Sequence, residues 1–87
     1  MSELGRAEIA IHEIIQEYGQ ATSKNGPFNS AHEGLAVIWE EFDELKAEVW
    51  KNERSRDYDA MMKEAVQVGA MAMRFIVDVC LKKEDKP

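Results

Sequence analysis

SAHEGLAVIWEEFDELKAEVWK, residues 30 to 51, decides the fold. It opens on Ser30-x-x-Glu33, a capping box in which a hydroxyl and a carboxylate each satisfy a backbone N–H that the first helical turn leaves free. From there Leu35, Ile38, Phe42, Leu45 and Val49 recur at spacings of three and four. At about 100° per residue they make one broad apolar face, with Trp39 and Trp50 on its flank. Glu33, Glu40, Glu41, Glu44 and Glu48 collect on the other side. The stretch reads as one amphipathic helix over about 30–51.

Downstream, KNERSRD is a short, polar and basic connection, and Asp57 is placed to cap a further helix. That helix is predicted over about 57–82. It should bury Met62, Ala65, Gly69, Ala72, Met73, Ile76 and Cys80, while Lys63, Glu64, Gln67, Met71, Arg74 and Asp78 form a narrow polar line opposite. The remaining KKEDKP, residues 82–87, reads as a charged, fraying tail.

Upstream, Leu4, Ala7, Ile11, Ile14, Ile15 and Tyr18 set a helix at about 3–19, with Ser2 as N-cap and Glu3 well placed in its first turn. GQATSKNGPFNS then reads as a loop, because it gathers two glycines, a proline and several small polar residues. No period-two run or hairpin signal competes, and no internal repeat is present. The expected fold is therefore all-α, one domain over 1–87. Its centre is an antiparallel helical hairpin with the N-terminal helix packed across it. Since 87 residues allow only a modest core, oligomerisation should complete the bundle.

Charge narrows the function. With 17 acidic against 11 basic residues the net charge is -6, which repels a nucleic-acid backbone. A small polyphosphate is still accessible to an acidic protein if a cation bridges the two. No segment approaches the roughly 18 apolar residues that span a bilayer, and no basic stretch leads into an apolar signal core. The single cysteine, Cys80, excludes an internal disulfide and reads as a small core residue in a reducing, cytoplasmic setting. His12 and His32 have no ligand spacing with each other or with Cys80, so a zinc site is not expected.

Glu41-x-x-Glu44 and Glu64-x-x-Gln67 carry the chemistry. Residues three apart on a helix point the same way, so two such pairs on facing helices can converge on one ion. Oxygen ligands suit magnesium, which keeps waters that phosphate oxygens can replace. The alternative is a solvated acidic face with intrahelical Glu–Lys pairs, to which Glu40, Glu48 and Glu53 are assigned. Lys51, Arg54 and Arg56, in the connection, are candidate phosphate contacts or a solvated basic loop. Trp39 and Trp50 could stack on a base, or belong to a core or subunit interface. Met61, Met62, Met71 and Met73 read as packing residues, and Asp78 as a surface acid near a helix end, the alternative being a role behind the ligands or between subunits.

EEFDEL, followed after a short basic connection by KEAVQVGAMAMRFIVD, resembles the MazG-like all-α nucleoside triphosphate pyrophosphatase superfamily over roughly residues 30 to 80. That family carries ExxE on one helix and ExxD on the next. Glu41, Glu44 and Glu64 match; Gln67 stands where the family has aspartate. The resemblance implies a magnesium-dependent enzyme that cleaves a nucleoside triphosphate between the α and β phosphates and assembles as a homodimer or homotetramer. Glu41, Glu44 and Glu64 would be its catalytic metal ligands, with Gln67 completing or tuning the shell. An amide oxygen can bind magnesium, but it lacks a charge and cannot act as a base. A non-catalytic helical nucleotide-binding or assembly module of the same fold is therefore the second expectation.

Overall fold

The computed structural model describes residues 1–51 and 53–81. Three helices follow one another: α1, Glu3–Lys24; α2, Ala31–Val49; and α3, Tyr58–Phe75. A single 3-10 turn, Glu53–Ser55, lies between α2 and α3, and α3 continues into a π-helical segment, Ile76–Leu81. Among the described residues there is no strand, so the chain is all-α. The expected helix end at Lys82 and the tail 82–87 lie outside the described residues.

The helix starts follow from local chemistry. Ser2 accepts the Gly5 N–H, Ser30 accepts the Glu33 N–H at 3.0 Å, and Asp57 accepts from Asp59 and Ala60. The returning arm of the capping box lands one residue early, since Glu33 Oε1 accepts the Asn29 N–H at 3.0 Å. That bond, a second with the Asn29 side chain and the charge of Arg74 hold the Glu33 carboxyl below its usual range.

The end of α1 corrects the sequence reading. The helix passes through Gly19 and runs to Lys24, five residues beyond the expected loop start. Two forces carry it. Ala21 is buried beside Ala70 and Met71, and the hydroxyls of Thr22 and Ser23 donate back to the carbonyls of Gly19 and Gln20. Local polar propensity yields to burial there. Asn25 caps the end through bonds to the Ala21 carbonyl, and Pro27 comes two residues later.

α3 is the central element, packed against α2 on one side and α1 on the other. Gly34 near the start of α2 lies against Phe75 at the end of α3, so those two helices run in opposite senses, as a hairpin should. α1 runs in the same sense as α3, since Arg6 and Ile9 lie by Met62 near one end, and Ala21 lies by Met71 and Arg74 near the other. Gly34 is required for the close approach: a Cβ there would stand 2.7 Å from Phe75 Cδ2 and 3.0 Å from Phe28 Cδ2.

The buried faces are rotated from those expected. On α3, Met71 and Arg74 of the supposed polar line are buried, with Glu64, Gln67 and Asp78 half-buried, whereas Met62, Ala65, Ile76 and Cys80 are exposed. On α2, Ile38, Leu45 and Val49 are half-buried together with Glu41 and Glu48, while Leu35, Phe42, Trp39 and Trp50 are exposed. On α1, Ile14 and Tyr18 turn inward, but Leu4, Ala7, Ile11 and Ile15 do not. Gly34 seats the side chains of Phe75 and Phe28, Gly69 seats that of Ile14, and Ala70 is fully buried. The core within one chain is correspondingly small: Ala21, Phe28, Ala70 and Met71, flanked by Tyr18, Val37, Ile38, Phe75 and Val79. Among the described residues, no helix is long and apolar enough to cross a membrane.

Candidate metal centre

The rotation of α2 and α3 brings the acids together. Glu41 and Glu44 project from α2 toward Glu64 of α3, and one carboxylate oxygen of each lies within 4.8 Å of the others. One-turn spacing supplies the pair on α2, and the antiparallel hairpin supplies the third. Three like charges so close cannot all ionise at ordinary cost. Glu41 is pushed up from 4.5 to about 7, first by burial and then by the charge and hydrogen bonding of Glu44, with Glu64 and Glu40 adding to it. Glu64 is raised by burial and by hydrogen bonding with Glu44, partly offset by Lys63. With Glu41 raised to about 7, this carboxyl holds its proton to a higher pH than an ordinary glutamate does.

Glu64 also keeps Oε2 buried with no hydrogen-bond partner. An orphaned acceptor on one of three converging carboxylates is a group that a hard cation could satisfy, so these three residues could hold a metal ion. Glu48, assigned from sequence to the solvated face, is half-buried and its charge acts on Glu64, while Lys51 pairs with it at 2.9 Å. Its place one turn beyond Glu44 was the available signal.

Beside the cluster opens a cavity of about 370 Å³ shared by all three helices and the α1–α2 loop. Glu41, Gln67, Met71 and Arg74 line it from the hairpin, Glu17, Gln20 and Lys24 from α1, and Phe28 from the loop. A groove of about 430 Å³ between α1 and α3 also includes Glu17, Gln20 and Gln67. Gln67 is thus half-buried at the junction of the two spaces, one turn along α3 from Glu64.

Sequence reasoning missed Arg74 and Asp78. Arg74 is only 4% exposed; its guanidinium donates to the Gly26 carbonyl at 2.8 Å and to Met71 Sδ, and lies over the Phe28 ring. Its Nε is buried without a partner. Asp78, far from being a surface acid, accepts the Phe28 N–H at 3.1 Å. Together they fasten the loop that walls the cavity.

The other candidates lie apart from this cavity. Lys51 is held by Glu48, Arg56 donates to the Val49 carbonyl, Arg54 is exposed in the 3-10 turn, and none of the three lines the cavity beside Glu41. Trp39 is exposed beside Ala36, Glu40 and Asp43 in a shallow depression elsewhere on α2. Trp50 is exposed with the Lys46 ammonium 4.4 Å from its ring centroid. Cys80 is exposed rather than in the core, and both histidines are exposed. Comparison with protein-family models, curated proteins and solved structures finds no match to this chain.

Proposed function

We propose that the protein is a magnesium-dependent nucleoside triphosphate pyrophosphohydrolase of the MazG-like kind, converting an NTP or dNTP into its monophosphate and pyrophosphate. The observation that carries this reading is the convergence of Glu41, Glu44 and Glu64 from two helices with an unsatisfied buried oxygen on Glu64. The matching ExxE and the first residue of the second motif support it from the sequence side. Glu41, Glu44 and Glu64 hold the magnesium, and the amide oxygen of Gln67 completes or tunes the shell. The bound cation supplies charge neutralisation for the polyphosphate. A carboxylate oxygen of the cluster accepts the proton of the water that opens the α–β anhydride. The cavity beside Glu41 takes the nucleoside, being of the size of small-molecule sites in general. A reducing, cytoplasmic setting accords with the lone cysteine.

The test is turnover by purified protein with magnesium and a panel of standard and modified nucleoside triphosphates, read as pyrophosphate release. Silence from both the native chain and Gln67→Asp would sink the enzyme reading. Gln67 itself favours a second reading, a nucleotide-binding module without hydrolysis, because it removes a charge and a possible base. Calorimetry with a non-hydrolysable nucleotide separates the two: magnesium-dependent binding lost in Glu44→Ala, without turnover, supports the module.

A further inference from the structure

We propose that Arg74 reads the base of the nucleotide, so that the cavity selects a base with two adjacent hydrogen-bond acceptors, guanine or cytosine, over adenine, uracil and thymine. The inference rests on the cavity being the nucleoside site, and adds what that nucleoside must offer.

The cavity has two ends. Glu41 and Gln67 line it beside the carboxylate cluster, whereas Gly26, Phe28, Glu33 and Arg74 line it where the α1–α2 loop meets the end of α3. Gln67 and Arg74 are seven residues apart on one helix, about 10 Å along its axis. With the phosphates at the carboxylate cluster, that interval takes the sugar and the loop end takes the base. The volume of about 370 Å³ has room for a purine nucleoside.

Arg74 is the group at the loop end whose bonding is incomplete. It is only 4% exposed, and burial makes its charge costly. Among the described residues no carboxylate forms an ion pair with it, although Glu33 is near enough to feel its charge. The guanidinium gives one N–H to the Gly26 carbonyl and one to Met71 Sδ, a weak acceptor, while Nε–H is buried without a partner. A guanidinium has donors only, so the ligand that completes it is one that brings acceptors.

The chemistry of the bases then decides. The arginine fork, Nε–H beside a terminal N–H, spans two neighbouring acceptors. Guanine presents O6 and N7 side by side, and cytosine presents O2 and N3. Adenine sets its amino group beside N7 and N1, and uracil and thymine set N3–H between their carbonyls, so none of the three offers such a pair. A donor facing a donor in a closed site leaves both unpaired, which is how a polar pocket rejects an analogue. Guanine and cytosine also carry an N–H next to the acceptor pair. Glu33 lines the same end and keeps acceptor capacity beyond its bonds to Asn29.

The test varies the ligand, so the protein stays native. Calorimetry of the full chain with magnesium should show GMP and CMP binding on the order of 10-fold to 100-fold tighter than AMP and UMP, the worth of one two-pronged contact. 7-Deaza-GMP, which lacks the N7 acceptor, should lose most of the advantage of GMP. Arg74→Lys removes the fork, so in folded variant protein the preference should fall below about threefold while the magnesium-induced rise in thermal midpoint persists. If that variant does not fold, the deaza ligand decides. AMP or UMP bound as tightly as GMP overturns the proposal, as does 7-deaza-GMP bound as tightly as GMP, or no binding of any monophosphate. Equal turnover of all nucleoside triphosphates would sink base selection and leave the hydrolase intact, whereas base-selective binding without turnover would do the reverse.

Discussion

The Arg74 guanidinium carbon lies 4.3 Å from the centroid of the Phe28 ring, linking the end of α3 to the α1–α2 loop by a cation–π contact. The same side chain holds the Gly26 carbonyl, so one residue grips the loop by its ring and its backbone.

Arg74→Lys is expected to destabilise the fold by about 1–3 kcal/mol, because an ammonium cannot both spread over the ring and reach Gly26 with a fixed fork. Urea unfolding followed by circular dichroism checks this. A change below about 0.5 kcal/mol, the scatter of surface substitutions, would show that the grip contributes little.

The acid cluster sets the sign of the pH response. Glu41 is raised to about 7 and Glu64 is also raised, so between 4.5 and about 7 the unfolded chain loses protons that the folded chain keeps. Stability without divalent cations should therefore fall as pH rises through that window, as far as this cluster is concerned, and level off above it. Thermal midpoints measured with EDTA from about pH 4.5 to about pH 8 test this. If Glu41→Gln leaves the slope unchanged, the cluster is not its source.

Glu64→Gln should act in opposite directions with and without metal. Without it, removing one of three crowded charges should raise the midpoint at about pH 7.5 by a few degrees, since ~1 kcal/mol moves a domain of this size by about 4–8 °C. With magnesium, the native chain should gain stability and the variant should gain much less. A lowered midpoint in EDTA, or an undiminished magnesium response, contradicts the assignment.

Gly34→Ala should lose up to about 2 kcal/mol despite the better helix propensity of alanine. The propensity gain is about 1 kcal/mol, but the added methyl would meet the rings of Phe75 and Phe28 at 3.0 Å or less, and overpacking typically costs about 1–3 kcal/mol. Chemical denaturation gives the answer. A stabilised variant would mean that the rings yield freely.

The three helices and their caps were legible because Ser2, Ser30 and Asp57 act within their own first turns. The pairing of Glu41 and Glu44 was legible for the same reason, being set by helical spacing alone. What the sequence concealed depends on other helices. α2 and α3 are apolar over wide arcs, and periodicity does not say which part of an arc meets a neighbour in the same chain. Hence Leu35 and Phe42 were placed inside, and Arg74 outside. The last turn of α1 was hidden by polar residues whose hydroxyls serve the helix once Ala21 is buried. Asp78 and Arg74 were unreadable because their partners stand 50 and 48 residues away.

Those separations also order events in time. The loop between the first two helices receives two of its anchors from near the end of α3 and the π-helical segment beyond it. During synthesis the loop cannot find both of those anchors until residue 78 has left the ribosome. The wall of the cavity is thus among the last parts of the molecule to be built, and a chain stalled earlier would carry its acids without the chamber beside them.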